Sequence, residues 1–428
     1  MRALVVGSAV SGRAASGLLE RLGHEVVVFD SDPAALDGVR AESRHAGAWD
    51  PTLLRRADLM VVSPGVPEHA PPIRGAIGAG IPVWSEMELA WRSLDVPIGA
   101  VTGTNGKTTT TEIAALALSR AGMRVAAVGN IGEPLSDAVD GEWDALVVEA
   151  SSFQLRFAET FRPDSAVILN VAPDHLDWHG DFDSYLAAKA RIHANQDSGD
   201  VLIYDVDDPG ARKAVEGAAS GLQTVSGTTR PDEGWGREGD ELVLPGGRLP
   251  LADVQSRDPA FLTDLTAAAV LAGSLGAGLD AIAAAAGAFR PGRHRREVVA
   301  TTRGVTWVND SKATNPHAAL AAIRSFPSVV LVAGGRNKGL DVSGLGALPN
   351  VRHVIALGEA AEDILRGSTA PGTVAADMED AVRLASGVAG DGDTVLLSPG
   401  CASFDMFTDY GDRGDAFVAA VSGFQEVA

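Results

Sequence analysis

VTGTNGKTTTTEIAALAL, residues 101–118, decides the fold. A short apolar run ends in a Gly-rich turn, and Lys107 and Thr108 then open a segment whose Ile, Ala and Leu recur at helical spacing. Glycines let successive backbone N–H groups converge on phosphate oxygens, and the positive end of the helix dipole adds to them. Gly103, Asn105, Gly106 and Thr109 would line that cradle. Lys107 would reach the β- and γ-phosphates of a nucleotide, and the Thr108 hydroxyl would sit on Mg²⁺. The general phosphate-loop pattern places a Gly five residues before the second one; here that position is Val101.

The same strand–turn–helix grammar extends outward. Apolar runs recur at 2–7, 59–63, 98–103, 145–150, 166–171, 201–204, 329–335, 353–358 and 394–400. Most are separated by Ala/Leu-rich helical stretches, which predicts parallel sheets with crossover helices. A chain of 428 residues exceeds one compact core. RSLDVP (92–97) and FRPGRHRRE (289–297) read as linkers, which divides the chain into 1–94, 95–289 and 290–428. Residues 221–260, rich in Gly, Pro and charge, read as hairpins and loops inside the middle part.

The net charge of −21 speaks against nucleic-acid binding and means that anionic substrates must be held by local donors. Cys401 is the one cysteine, so an intrachain disulfide and a thiolate zinc cluster are excluded. The start, MRALVVGSAVSG, reads as a strand and glycine turn rather than a secretion signal, and no apolar run reaches membrane-spanning length. A cytoplasmic, soluble monomer without membrane insertion is the expectation.

Further segments carry chemistry. VVEASSFQL (147–155) ends a buried strand at Glu149, a costly place for a carboxylate unless it caps, pairs or binds a metal. ILNVAPDHLDWHGDFDSYLAAKARI (168–192) gathers Asn170, Asp174, His175 and Asp177 just past a strand, where open α/β sheets bind ligands. Lys189 follows on a helix expected to be capped near Asp183 or Ser184; on its own it reads as a solvated lysine. GRHRRE (292–297) leads into VTWVNDSKATNPHAAL (305–320), with Asp310, Ser311, Lys312 and Thr314 between strand and helix. Lys338 lies on a Gly-rich loop in VVLVAGGRNKGLD (329–341). Ser403 and Tyr410 lie in SPGCASFDMFTDYGDRGDAF (398–417), Tyr410 being either a packed aromatic or a neighbour of substrate. Near the start, GSAVSG (7–12) resembles a dinucleotide fingerprint with Ala9 in place of its second Gly, and Asp30 ends the next strand, where it suits a ribose or a uracil contact alike.

TGTNGKT, ExSSFQL, the YxxxKxRI spacing around Lys189 and NDSKATN together resemble the Mur ligases and the related folylpolyglutamate synthases, over essentially the whole chain. The resemblance implies an α/β protein of three domains: a Rossmann-like N-terminal domain, a central P-loop-type ATPase domain with a parallel sheet, and a Rossmann-like C-terminal domain. It also implies a ligase in which a carboxylate attacks ATP to give an acyl phosphate that an amine then intercepts. Glu149, His175 and a carbamylated Lys189 would join Thr108 as Mg²⁺ ligands, and Arg295 and Asp310 would hold ATP. Ser8, Ser11, Asp30, the SPGVP loop with Ser63, Pro64 and Gly65, and Asn130 would bind a UDP-linked substrate, His175 lying beside it. Lys312, Thr314, Lys338, Ser403 and Tyr410 would receive the amino acid. Two carboxylates need two sets of donors, which Lys338, Thr314 and Ser403 supply, and the DNPR-type motif of the diaminopimelate- or lysine-adding relatives is absent. The implied partners are therefore ATP, UDP-N-acetylmuramoyl-L-alanine and D-glutamate. In AFLTDLTAAAV (260–270), Asp264 stands where that family has an adenine-reading Asn, so that contact does not carry over. The alternatives are a Mur-type ligase for another amino acid, a folate-type relative, and an NAD-dependent or noncatalytic nucleotide-binding protein.

Overall fold

Short runs of Val, Ile, Leu and Ala form three separate sheets in the computed structural model, which describes residues 1–427. The first sheet comprises β1 (Arg2–Val6), β2 (Glu25–Asp30), β3 (Ser43–Ala46), β4 (Leu59–Val62) and β5 (Val83–Ser85), in the order β3-β2-β1-β4-β5. Every pairing in it is parallel. The order reverses at β1, and at such a switch point the carboxyl ends of the strands open a crevice.

The second sheet comprises β6 (Ile98–Thr102), β7 (Val125–Gly129), β8 (Ala145–Glu149), β9 (Ser165–Ile168), β10 (Val201–Asp205), β11 (Gly221–Ser226), β12 (Gly234–Glu238), β13 (Glu241–Leu244) and β14 (Gly247–Pro250). Its order is β14-β13-β12-β11-β10-β9-β6-β8-β7. The predicted hairpins fall at β12-β13-β14, which pair antiparallel. The segment also holds β11, which extends the parallel sheet beside β10. Periodicity missed β11, since GLQTVS is half-exposed and only Val225 and Ser226 are buried. Helices Lys107–Arg120 and Pro259–Ser274 pack against each other and against this sheet, burying Ile113, Leu118, Leu262, Leu265 and Leu271 in one core.

Contacts divide the chain into two compact units: residues 1–171 with 178–289, and residues 172–177 with 290–428. The first unit holds both sheets above. They are joined by buried carboxylates on the helix Glu86–Trp91. Glu88 accepts backbone N–H groups of Glu159, Thr160 and Phe161, and the Thr160 hydroxyl at 2.6 Å. Glu86 accepts the Ser136 N–H at 2.5 Å.

The second unit is built on β15 (Glu297–Thr302), β16 (Val305–Asn309), β17 (Val329–Gly334), β18 (Val351–Leu357), β19 (Gly372–Val374) and β20 (Thr394–Gly400), in the order β15-β16-β20-β17-β18-β19. All pairings are parallel except β15 with β16. Among the described residues no helix is long and apolar enough to cross a membrane.

Candidate active site

Strand β6 delivers the phosphate loop, and the helix Lys107–Arg120 carries it away. Gly106 caps that helix at φ 84°, a left-handed conformation that only glycine adopts without cost. A Cβ at Gly106 would also overlap the Asp264 carboxylate, so the helix end and Asp264 are in direct contact. Asn170, just past β9, clamps the loop from the side. Its carbonyl accepts the Thr104 N–H, its Oδ1 accepts the Asn105 N–H at 2.8 Å, and its Nδ2 donates to the Asn105 carbonyl. Thr108 stands in the first helical turn, half-buried, and Thr109 is buried behind it.

Two ammonium groups converge on one carbonyl of this loop. Lys107 Nζ donates to Gly103 O at 2.9 Å and to Thr104 O at 3.0 Å, and Lys189 Nζ donates to Gly103 O at 2.6 Å. Lys189 is 1% exposed and lies 4.7 Å above the Tyr185 ring. The solvated-lysine alternative is thus wrong. Its helix, Phe182–Ala190, is capped by Asp181 rather than by Asp183 or Ser184: Gly180 turns at φ 86°, and the Asp181 carboxylate accepts the Ser184 N–H at 2.7 Å.

Glu149 lies opposite Val101 in the β6–β8 register, beside the strand that feeds the loop. Its Oε1 accepts the Asn130 side-chain N–H at 2.7 Å, while the buried Oε2 has no hydrogen-bond partner among the described residues. A buried carboxylate oxygen left unsatisfied suits a hard cation. Among the described residues no three His, Cys, Asp or Glu side chains gather as ligands, so a metal here would also need hydroxyl, phosphate or water oxygens.

At the end of β1, the fingerprint loop is tied down from two directions. Ser8 is fully buried, and both its N–H (2.7 Å) and its hydroxyl (2.9 Å) donate to Asp30 Oδ2. Burial works to raise the Asp30 pKa, but hydrogen bonds from Asp32 and Ser8 outweigh it and hold this carboxyl below the usual range. Ser8 and Asp30 thus hold each other. Ser63 donates to the Gly7 carbonyl at 2.8 Å and opens a turn closed by Val66 N–H, leaving Pro64 half-buried and Gly65 exposed. Ser11 is half-buried in the first turn of the helix Val10–Arg21.

In the second unit, Lys338 Nζ lies 3.0 Å from Asp174 Oδ1. Asp174 also accepts the His175 N–H at 2.9 Å and the Asn315 side-chain N–H at 3.0 Å. Burial opposes its ionisation, but His175 and Lys338 prevail and hold its pKa low. His175 itself stands at φ 53°, strained for a non-glycine residue. The loops carrying Lys338 and Ser403 are linked by reciprocal Arg336–Ala402 backbone hydrogen bonds. Ser403 is 2% exposed, whereas Tyr410 is 38% exposed, with Lys312 Nζ 5.1 Å from its ring. Thr314 lies in the turn closed by its N–H on the Lys312 carbonyl, just before the helix Pro316–Arg324. Burial pushes the Asp310 carboxyl up to about 6 against the pull of Arg296 and Ser398; it accepts the Arg296 N–H and the Ser398 hydroxyl. One buried nitrogen of Arg295 has no hydrogen-bond partner among the described residues.

Sequence reasoning missed Arg413. It is 1% exposed, and its guanidinium donates to the Ser311 hydroxyl (3.0 Å), the Ser311 carbonyl (2.8 Å) and the Cys401 carbonyl (3.0 Å). One guanidinium thus ties the NDSK loop to the Ser403 loop. The signal was available: Arg413, Phe417 and Val421, all buried, recur at four-residue spacing along the last helix.

Comparison with known proteins agrees with this geometry. Residues 1–85 match the MurD-like N-terminal domain of Mur ligases, 101–235 the Mur ligase middle domain, and 294–401 the Mur ligase glutamate ligase domain. The chain is 45% identical to the UDP-N-acetylmuramoylalanine–D-glutamate ligase of Frankia casuarinae, over 98% of this chain and 93% of that protein. It is 42% identical to the enzyme of the same name from Salinibacter ruber, over 97% and 96%. In fold it is similar to a pseudomurein peptide ligase type C from Methanothermus fervidus (TM-score 0.64, 17% identity, 98% of this chain and 99% of that one). A UDP-N-acetylmuramate-alanine ligase from Thermotoga maritima shares the fold as well (TM-score 0.60, 17% identity, all of both chains). With the first and third sheets falling within the first and last domain matches, most of the second sheet within the middle one, and relatives above 40% identity along nearly its whole length, the chain belongs to the Mur ligase family.

Proposed function

We propose that this chain is an ATP-dependent ligase that adds D-glutamate to UDP-N-acetylmuramoyl-L-alanine in peptidoglycan precursor synthesis, with ADP and phosphate as products. The muramoyl-alanine carboxylate attacks the γ-phosphorus and ADP leaves. The glutamate amine then attacks the acyl carbon, loses a proton and expels phosphate. The observation that carries this reading is the pair of ammonium groups, Lys107 and Lys189, gathered on Gly103 O in a loop capped by a helix N-terminus. Such a cluster suits polyphosphate, since catalysis of phosphoryl transfer is mostly positioning and charge neutralisation.

Lys107 is assigned to the β- and γ-phosphates. The unpaired Glu149 oxygen and the Thr108 hydroxyl would hold Mg²⁺, which would neutralise phosphate charge. Carbamylation of Lys189 would turn this buried ammonium into an anion suited to that ion, leaving Lys107 as the cation of the pair that faces phosphate. In the second unit, Lys338, Thr314 and Ser403 are assigned to the carboxylates of D-glutamate. The division at 1–94, 95–289 and 290–428 is our domain proposal, and nucleotide-linked substrates fit a cytoplasmic site of action.

The test is phosphate release from ATP with UDP-N-acetylmuramoyl-L-alanine and a panel of D- and L-amino acids. Release with D-glutamate and not with L-glutamate, D-aspartate, lysine or diaminopimelate is the expected result. Release with a different member of the panel would favour a Mur-type ligase for that amino acid, and no release with any of them would overturn the proposal.

A further inference from the structure

Asp174 has no role in the chemistry above, yet it sits on the cation assigned to the amino acid. Asp174 is 4% exposed; Lys338, with 17% of its side chain exposed, pairs with its Oδ1 at 3.0 Å, and the His175 ring Nε2 lies 3.6 Å from its Oδ2. Two other donors hold Asp174 whether or not Lys338 is there: the His175 N–H on Oδ1 and the Asn315 amide on Oδ2. Asn315 is itself fixed, because it caps the helix Pro316–Arg324 through the Ala318 N–H at 2.9 Å. Lys338 is the adaptable partner. It has a four-carbon stem with three rotatable donors and sits beside Gly339, which turns at φ 76°. The fixed member of the pair is therefore the carboxylate and the movable member the ammonium.

A carboxylate already bound to a mostly buried lysine is chemically the same kind of ligand as the side-chain carboxylate of an acidic amino acid. We infer that Asp174 is a resident competitor for Lys338, so that the acceptor amino acid must take over part of an existing ion pair and binds more weakly than Lys338 alone would allow. This rests on the assignment of Lys338 to the acceptor carboxylate. Asp174 is on this view a positioning residue that sets acceptor affinity: it holds the ammonium in place, neutralised, until a second carboxylate arrives.

The experiment is steady-state kinetics of the full chain at saturating ATP and UDP-substrate, with D-glutamate varied, for Asp174→Asn, Lys338→Ala and the double variant. Asp174→Asn should lower the KM for D-glutamate roughly tenfold, the size expected when a charge-assisted hydrogen bond no longer has to be exchanged. In the Lys338→Ala background the same substitution should leave KM where Lys338→Ala alone puts it. A raised or unchanged KM in Asp174→Asn, or the same decrease without Lys338, would overturn the inference. If Lys338→Ala itself left KM unchanged, the assignment of Lys338 would fail instead. Should Asp174→Asn not fold, Asp174→Ser removes the same charge and carries the same expectation.

Discussion

At the scale of single residues, Gly103 gathers the two lysines on which the proposed phosphate site rests. One carbonyl oxygen accepts from both Lys107 and Lys189, and like charges this close tolerate each other only because the loop carbonyls, and later an anion, compensate them. Lys107→Ala should therefore lower kcat for phosphate release by roughly 10³-fold or more while the protein stays folded, checked by kinetics beside a thermal melt. Asp264 acts in the opposite sense. Its carboxylate packs against Gly106 at the positive end of a helix, the place a nucleotide phosphate would use. Asp264→Asn should lower the KM for ATP severalfold with kcat little changed; an increase would mean that the carboxylate orders the loop rather than opposing its ligand. Glu149 stood out in sequence as a strand-end carboxylate, whereas Lys189 was singled out by the family resemblance alone, its own surroundings reading as those of a solvated lysine. Asp174 was visible only as one acid among several, because its partners Asn315 and Lys338 are 141 and 164 residues away.

At the scale of elements, apolar runs marked the strands buried on both faces and missed those at the margins. Strands β6, β8, β17 and β20 are buried throughout, which makes them continuous hydrophobic runs. Edge strands β3 (SRHA) and β19 (GTV) carry no such pattern, since their residues are mostly exposed and their place is fixed by pairing with β2 and β18. The loops of the second unit depend on Arg413, where burial pushes the guanidinium down to about 10. Arg413→Lys keeps the charge but cannot reach two Ser311 oxygens and the Cys401 carbonyl together. It should cost roughly 3 kcal/mol in urea unfolding, as buried acceptors lose their donors, and raise the KM for the amino acid through the Ser403 loop. A variant with unchanged unfolding midpoint and KM would show that the two loops hold their positions without it.

At the scale of the whole molecule, a net charge of −21 leaves anion binding to local groups, and it also bears on stability. Two of the acids in this excess, Glu86 and Glu88, are buried where the first two sheets of one compact unit meet. Glu88 is satisfied by three backbone N–H groups and a hydroxyl. Among the described residues Glu86 accepts from Ser136 alone and its Oε2 has no partner, and burial pushes its pKa from 4.5 up to about 7. The folded chain then holds a proton that the unfolded chain has released between those two values. Stability should accordingly fall as pH rises from about 4.5 to about 7 and stay flat above. At 1.36 kcal/mol per pH unit the loss is at most about 3 kcal/mol. Glu86→Gln keeps the size and the acceptor for Ser136 but cannot ionise, so it should match the parent near pH 5 and exceed it near pH 8 in thermal unfolding. An equal difference between variant and parent at both pH values would mean that Glu86 ionises as freely in the folded protein as in water, and that the contact between the two sheets carries no proton linkage.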